Sequence, residues 1–366
     1  MRWIALIVAL SATAAAAETV LFDWSEEACA RWDIPDTPAR FWHEGAGVAM
    51  IAGSEASRVS LGPTPFELER RCGVAYSGNH DSDPRDHDDR AWIHSVWSHA
   101  DGLVEALAHV EYHGHLHGTC AAGTYAACWR NSIIAIESRD GRTFTRSPGP
   151  PVATLPYPYD PTQTQRSGYF NPSNIFSVGR FLYVFVFAEA HGAQARGACL
   201  LRREVAADTW LAWDGAAFDA RLSGPAKVGQ SRICAPVSGV TSTLSSVLRD
   251  EDGTYLAATA RSVEGRHGIW LQRSADLLAW SSPELLVELP LLWRRDCAAP
   301  AVYAYPALIA PESPSRNFDT LVGEVWLTAV KMPLGPDCEV GPERDLVAWR
   351  LRREGTDGLA MAEDAP

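Results

Sequence analysis

The sequence of 366 residues predicts an all-β protein. Helical periodicity is nearly absent, and short apolar stretches alternate with turns rich in Gly, Pro, Asp and Asn. One strand–turn–strand pattern also recurs five times along the chain. Apolar residues make up 46% of the composition, which excludes a disordered or low-complexity protein because there is ample side chain to bury.

Each copy of the repeat consists of a strand, a turn that carries a glycine, and a very apolar second strand. The turn glycines are Gly45, Gly102, Gly179, Gly253 and Gly323. Further strands fill each interval, and radial repetition of four-stranded units is typical of a β-propeller. We therefore expect a five-bladed β-propeller whose ring is closed by residues 19–23 as the outer strand of the last blade. The alternative is a β-sandwich of similar strand count, but sandwiches do not repeat one turn five times.

The first 17 residues have the composition of a secretory signal peptide. Arg2 is followed by an apolar run at residues 3–10, and residues 11–17 are small and end in three alanines. The apolar run is too short to span a bilayer. We expect residues 1–17 to be removed and residues 18–366 to form a single propeller domain, monomeric and either secreted or periplasmic.

Export places the eight cysteines in an oxidising compartment, where an even count predicts disulfides. Connectivity does not follow from the sequence, but pairing of neighbours is the simplest pattern because each bond closes a local loop. These pairs are Cys29–Cys72, Cys120–Cys128, Cys199–Cys234 and Cys297–Cys338. The net charge of −13 argues against nucleic acid and anionic membranes as partners.

Antiparallel order in a propeller brings the starts of the first strands and the ends of the second strands to one opening. Polar residues are frequent at both kinds of position. First-strand starts supply Asp36, Arg40, Asp89, Asn171 and Tyr305, and second-strand ends supply Glu111, His113, Glu189, His191 and Arg261. Positions i and i+2 of a strand share a face, so each Glu and His of the repeated Glu-x-His-Gly would point together.

This layout resembles the five-bladed propeller glycoside hydrolases of family 43, the arabinanase and xylosidase type, and their levansucrase-like relatives. In that family an Asp before a Pro and an aromatic opens the first blade as general base, and Asp36-Thr-Pro-Ala-Arg-Phe matches. The resemblance implies that Asp89, before Ala-Trp-Ile, takes the place of the Asp that tunes the acid. The family's acid, a Glu opening the third blade, has no counterpart, because residues 169–174 read Tyr-Phe-Asn-Pro-Ser-Asn.

Glycosidic cleavage needs one carboxylate as base or nucleophile and one protonated carboxyl as acid. The sequence thus predicts an exported glycoside hydrolase-like protein with a carbohydrate substrate and no required cofactor. Asp36 is the expected base, Glu111 the first choice for the acid and Glu189 the second, while Asp89 tunes the acid or orients substrate. The residues expected to bind substrate hydroxyls or charge are Arg40, His113, Asn171, His191, Arg261 and Tyr305.

Two other functions stay open. One is a non-catalytic carbohydrate-binding propeller. The other is a metal-dependent hydrolase or lyase, since His113, His115 and His117 alternate and would present three imidazoles to Zn²⁺ on one strand face. The acid-rich residues 79–89 offer oxygens for Ca²⁺. The simpler interpretation of both segments is a solvated polar loop.

Overall fold

The computed structural model describes residues 18–354 and 358–362 of the chain, so the predicted signal peptide lies outside the described residues. The described chain is nearly all β: it begins with β1 (Thr19–Phe22), has one helical turn, α1 (Trp24–Glu27), and then runs through 24 further strands. Asp23 caps α1, because its side chain accepts a hydrogen bond from the Ser25 amide. No described helix has the length and apolarity that a membrane span needs.

The strands after α1 form antiparallel units that follow one another along the chain. Unit 1 has the order β2–β3–β5–β6, and a small separate sheet pairs β4 with β7. The strands of this region are β2 (Arg40–Glu44), β3 (Gly47–Ile51), β4 (Ala56–Ser57), β5 (Ser60–Thr64), β6 (Glu67–Arg70) and β7 (Tyr76–Ser77).

Units 2 and 3 join into one ten-stranded sheet. Unit 2 contains β8 (Arg90–Ser98), β9 (Val104–His113), β10 (Trp129–Ser138) and β11 (Thr145–Arg146). Unit 3 contains β12 (Ser167–Phe170), β13 (Phe176–Val178), β14 (Phe181–Ala188), β15 (Gly197–Glu204), β16 (Leu211–Trp213) and β17 (Phe218–Ala220). The junction is a short parallel pairing of β10 with β12, which sets Arg130 opposite Ser167.

Units 4 and 5 complete the described chain. Unit 4 contains β18 (Ser246–Arg249), β19 (Tyr255–Val263), β20 (Arg266–Ser274) and β21 (Glu284–Glu288). Unit 5 contains β22 (Ala301–Ile309), β23 (Val325–Pro333), β24 (Asp345–Glu354) and β25 (Gly358–Met361). Strand β1 pairs antiparallel with β24, with Val20 opposite Val347. The N-terminal strand therefore has the neighbour that the sequence predicted for it.

The five turn glycines share one backbone property. All adopt a positive φ, with values of 58° at Gly45, 87° at Gly102, 60° at Gly179, 89° at Gly253 and 67° at Gly323. This left-handed region costs little for glycine and is unfavourable for other residues. The recurring glycine therefore marks, in the sequence, the turn that precedes the second strand of each unit.

Hydrophobic clusters join each unit to the next and the last unit to the first. One cluster packs Trp42 of unit 1 on Ile93 of unit 2, and others join units 2 and 3, 3 and 4, and 4 and 5. A fifth cluster packs Phe41 and Met50 of unit 1 against Val302 and Val330 of unit 5. The packing of the units is therefore cyclic, although each cluster lies between two neighbouring units.

Buried polar side chains also connect the first strands of different units, which do not pair with one another as strands. The guanidinium of Arg40 donates from Nε to the His94 carbonyl and from Nη2 to the Ser245 carbonyl, both at 2.6 Å. The Asn174 amide donates to the Val247 carbonyl and accepts from the same residue's amide, both at 2.7 Å. These contacts satisfy groups that would otherwise be buried without a partner.

All four predicted disulfides are present, and their pairing confirms the neighbour pattern. Two of them tie loops that border the cavity described next. The Cys120–Cys128 bond closes the segment before β10, and the Cys297–Cys338 bond joins the segment before β22 to the segment before β24.

Candidate active site

A cavity of about 480 Å³ lies where units 1, 2, 3 and 5 contribute side chains to a common space. Its charged lining consists of two carboxyl groups, Asp36 and Glu111, and four arginines, Arg90, Arg166, Arg295 and Arg344. Its aromatic and imidazole lining consists of Trp92, His94, His109, Tyr125, Trp129, Phe170, Trp293 and Tyr305. The cavity therefore combines titratable groups with flat apolar surfaces.

Asp36 enters the cavity from the segment just before β2. Its backbone amide donates to the Gly53 carbonyl at 2.9 Å, which fixes the residue beside the end of β3. Its carboxylate accepts hydrogen bonds from Arg344 and Tyr305. Burial raises the pKa of Asp36, the Arg344 charge opposes that shift, and the negative charge of Glu111 adds to it.

Glu111 lies near the end of β9, two residues before His113 and on the same face of the strand. His113 Nε2 donates to Glu111 Oε2 at 3.1 Å, and Arg90 Nη2 lies 3.7 Å from the same oxygen. Burial alone would raise the pKa of Glu111, but the hydrogen bond from His113 and the nearby positive charges lower it overall. The two cavity carboxyls thus have pKa values shifted in opposite directions.

The imidazoles of the cavity wall are held in the neutral form. Burial lowers the pKa of His109 to about 4, and burial together with the nearby charge of Arg40 lowers that of His94. The Asn131 side-chain amide hydrogen-bonds with His109 Nε2. Because His109 is uncharged near pH 7, His113 and Arg90 are left as the main stabilising partners of the Glu111 carboxylate.

Two cavity residues adopt a backbone conformation that is unfavourable for side chains other than glycine. Asn171 has a φ of 43° and Tyr305 a φ of 56°, and Tyr305 lies where the β22–β23 register shifts between Ala304 and Ala307. Such conformations cost on the order of 1–3 kcal/mol and are maintained by surrounding packing. Both strained residues line the cavity, so we relate their backbone conformation to the site and not to regular strand pairing.

Two exposed aromatic rings from different parts of the chain line the cavity: one comes from the segment before β10 and the other from the segment before β22. Tyr125 and Trp293 are each 57% exposed, which is high for large apolar side chains. Tyr125 packs on Trp129 with ring centroids 5.3 Å apart, and Trp293 packs edge-on against Tyr305 at 5.7 Å. Tyr125 lies within the loop closed by Cys120–Cys128, and Trp293 lies on the segment before β22 that Cys297 ties to the segment before β24. Flat, partly exposed rings of this kind can stack on the apolar face of a sugar.

Of the ten site residues expected from the sequence, Asp36, Glu111, Asn171 and Tyr305 line the cavity. Asp89 and Glu189 do not line the cavity, and each has other polar partners. Asp89 accepts from the His113 backbone amide at 3.2 Å, and His117 Nε2 lies 2.9 Å from the same carboxylate. The carboxylate of Glu189 pairs with Arg166 at 2.6 Å and with Arg196 at 2.8 Å.

The remaining four candidates also lie outside the cavity lining. Arg40 is 4% exposed, and its guanidinium donates hydrogen bonds to backbone carbonyls. Burial lowers its pKa to about 9. His113 is fully buried and contacts the lining residues Glu111, Tyr125 and Trp129 without lining the cavity itself. His191 belongs to a turn in which its amide donates to the Gln194 carbonyl at 3.1 Å. Arg261 donates to the Thr241 hydroxyl at 2.9 Å, in unit 4, which adds no residue to this cavity.

The three alternating histidines of the expected metal site do not converge. His113 contacts Glu111, while His117 contacts Asp89. His115 packs edge-on against His113 with centroids 5.5 Å apart. Within residues 18–354 and 358–362, no group of three or more His, Cys, Asp or Glu side chains is placed to hold a metal ion. As placed, these donor sets do not fit Zn²⁺ or Ca²⁺, and we derive no step through a metal.

The sequence analysis missed the cavity residues contributed by irregular loops. Arg344 and Arg295 come from the loops joined by Cys297–Cys338, Tyr125 from the loop closed by Cys120–Cys128, and Arg166 from the segment before β12. Their loops lie between the repeat strands, where periodicity carries no information. For Tyr125, Arg295 and Arg344 the available signal was the position of the nearby cysteines, and Arg166 had none.

Comparison with solved structures finds several enzymes whose fold is similar to that of this chain. The chain matches the Cellvibrio cellulosa α-L-arabinanase complexed with arabinohexaose at 10% identity and a TM-score of 0.54, covering 90% of this chain and 95% of that one. It matches a thermostable family-43 glycoside hydrolase at 10% identity and a TM-score of 0.51, covering 91% and 97%. It matches the Bacillus halodurans xylan β-1,4-xylosidase at 10% identity and a TM-score of 0.51, covering 90% of this chain and 55% of that one.

No protein-family model matches the sequence, and a search of curated proteins finds no match. The likeness to solved structures therefore concerns the fold. The resemblance to arabinanases and xylosidases expected from the sequence is confirmed at that level: the chain is similar in fold to glycoside hydrolases of family 43.

Proposed function

We propose that the protein is an exported five-bladed β-propeller that binds a carbohydrate in the cavity and hydrolyses a glycosidic bond. The observation that carries the proposal is the meeting of Asp36 and Glu111 in one cavity, with pKa values shifted in opposite directions. Two carboxyls with separated pKa values are what glycosidic hydrolysis requires. The cyclic packing of the units supports the propeller, and the four disulfides support export.

The electrostatic environment favours a specific division of roles. The resemblance to family 43 implied Asp36 as base, with Glu111 the candidate acid. The raised pKa of Asp36 suits the proton donor, whereas the lowered pKa of Glu111 suits an ionised base or nucleophile. We therefore propose that Asp36 protonates the leaving-group oxygen and that Glu111 acts as a carboxylate.

Substrates with different leaving groups test this division. An aryl glycoside with an acidic phenol leaves without a proton, so Asp36→Asn should retain activity on it while losing about 10²–10⁴-fold on a natural linkage. Glu111→Gln should lose activity on both substrates. The opposite pattern would assign the acid to Glu111, and full activity in either variant would remove that residue from the mechanism.

The matched control is Glu284→Gln, because Glu284 is an exposed glutamate of β21 and lies outside the cavity. It should behave as the wild type on both substrates. Near-ultraviolet circular dichroism of every variant shows whether the tertiary packing is intact, so that a lost activity is not mistaken for a lost fold.

The second candidate is a carbohydrate-binding propeller without turnover. It is favoured by residues 169–174, which carry no acid where the family's acid would stand. Calorimetric binding of an oligosaccharide that the wild type never cleaves, over pH 4–9, would support this function against hydrolysis.

A further inference from the structure

We infer that the cavity takes a negatively charged sugar, one that bears a carboxylate or a sulfate group beside the scissile bond. This inference rests on the proposed function and names its substrate class. It begins from a contrast in charge: the whole chain carries −13, yet four arginines and only two carboxyl groups line the cavity.

The cavity carboxyls already have cationic or donor partners. Asp36 is paired with Arg344, and Glu111 accepts a hydrogen bond from His113. The three other lining arginines therefore carry more positive charge than the one remaining lining carboxylate, Glu111, requires.

Two of those arginines are oriented by acids that do not line the cavity. Arg166 is held by Glu189 and lies over the Phe170 ring at 4.8 Å. Arg295 pairs at 2.6 Å with Glu339, whose side chain is 68% exposed. Both guanidinium groups are thus held in place by carboxylates outside the cavity lining, which compensate part of their charge. Their remaining N–H donors can bind a ligand.

Arg90 is the one of the four whose contacts to carboxylates are longest. Its nearest carboxylate oxygens belong to Glu111 at 3.7 Å and Glu55 at 3.9 Å, beyond hydrogen-bond distance. Its Nε and Nη2 are buried and have no hydrogen-bond partner, and its guanidinium lies over the Trp92 ring at 5.5 Å. Buried donors without acceptors are rare and costly, so they call for a physical reason.

An anionic ligand group supplies that reason. A guanidinium binds planar carboxylates and sulfates through paired N–H donors, whereas a neutral hydroxyl offers a single weaker acceptor. A small rotation of the Arg90 side chain toward the cavity would direct its unpartnered N–H groups to such a ligand. Because Arg90 lies opposite Glu111 in the β8–β9 register, the charged group would be bound next to the proposed reacting carboxylate.

Calorimetry on the full mature protein tests the inference with four probes: digalacturonate, which carries carboxylates only, neocarrabiose 4-sulfate, which carries a sulfate and no carboxylate, and the neutral sugars xylobiose and arabinobiose. We expect an acidic probe to bind at least about tenfold more tightly than either neutral probe at low salt, and 0.5 M NaCl to remove the preference. The carboxylated and the sulfated probe separate the two sources of charge.

The variant Arg90→Gln should abolish the preference, so that its dissociation constants for the acidic and the neutral probes agree within about twofold. Arg295→Gln should weaken it, which keeps the test decisive if the first variant fails to fold. Arg139→Gln is the matched control, because Arg139 is 74% exposed and lies outside the cavity lining.

Equal or tighter binding of the neutral probes by the wild type would overturn the inference and leave the proposed function standing. Retention of the acidic preference in both Arg90→Gln and Arg295→Gln would also overturn it. If no sugar binds, both proposals fail. If the acidic probe is cleaved to a product with the ultraviolet absorbance of an unsaturated uronate, the substrate class stands and hydrolysis is wrong.

Discussion

The buried histidine beside Glu111 offers a quantitative test of how the site sets its charge. His113 is fully buried, donates from Nε2 to Glu111 at 3.1 Å, and stacks near Trp129 with centroids 4.6 Å apart. Replacing it by Phe keeps a flat ring in that position and removes the donor. The Glu111 carboxylate then has Arg90 at 3.7 Å as its main cationic neighbour.

The magnitude follows from the lost bond. A hydrogen bond to a charged group contributes about 1.5–3 kcal/mol, and one pKa unit corresponds to about 1.4 kcal/mol. The pKa of Glu111, which His113 helps to lower, should therefore rise by about 1–2 units in His113→Phe. If Glu111 works as a carboxylate, the acidic limb of the kcat/KM profile moves up by that amount.

The same profile reports the role of Glu111. A shift of the basic limb instead of the acidic limb would show that Glu111 works in its protonated form. His113→Gln retains an N–H donor and should fall between the wild type and the Phe variant. If neither limb moves in a folded His113→Phe protein, Glu111 is not a group whose ionisation controls turnover.

Three further predictions concern the scaffold. Removing the disulfide with Cys297→Ser and Cys338→Ser should lower stability by about 2–4 kcal/mol in urea unfolding and raise KM more than it lowers kcat, because the joined loops border the cavity; an unchanged KM would contradict this. Arg40→Met should destabilise by about 3–5 kcal/mol, since it leaves buried carbonyls without donors; a loss below about 1 kcal/mol would contradict that role. Although burial opposes it, Arg70 holds the pKa of Asp33 below 3.8, so this pair's stabilisation is present above that pH and is lost as pH falls through the folded-state pKa. Acid unfolding of Asp33→Asn should therefore lack this component, and an unchanged pH dependence would contradict it.

The strands, their turns and the disulfides were predictable because each is encoded locally. A turn that needs a φ of about 60–90° favours glycine at a single position, as at Gly45 and Gly253. Neighbouring cysteines close short loops, and alternating apolar residues mark each strand. The pairing of β1 with β24 was also predictable, because the strands visible in the sequence after Gly323 leave one edge open for the chain start; β25, which the sequence did not reveal, shares that edge of β24.

The cavity was only partly predictable, because its contacts join distant parts of the chain. Arg344 reaches Asp36 across 308 residues, and nothing local marks either residue as the other's partner. Asp89 and Glu189 have the right residue type and strand position, but neither lines the cavity: Asp89 contacts the His113 amide and His117, and Glu189 pairs with Arg166 and Arg196. A residue's position along a strand therefore predicted which end of the sheet it occupies, but not which of its neighbours it contacts.

The departure from the family 43 pattern and the charge of the cavity have a common origin in unit 3. The position that would carry the family's acid lies among residues 169–174, where Asn171 lines the cavity together with Arg166. A glutamate there would face that arginine and cancel part of its charge, as Glu189 does from outside. With a neutral amide instead, the proton donor has to come from another unit, for which Asp36 is the candidate, and the surplus arginine charge stays available. The two proposals, an acid supplied by Asp36 and an anionic substrate, thus depend on one shared feature, the neutral amide where the family carries its acid.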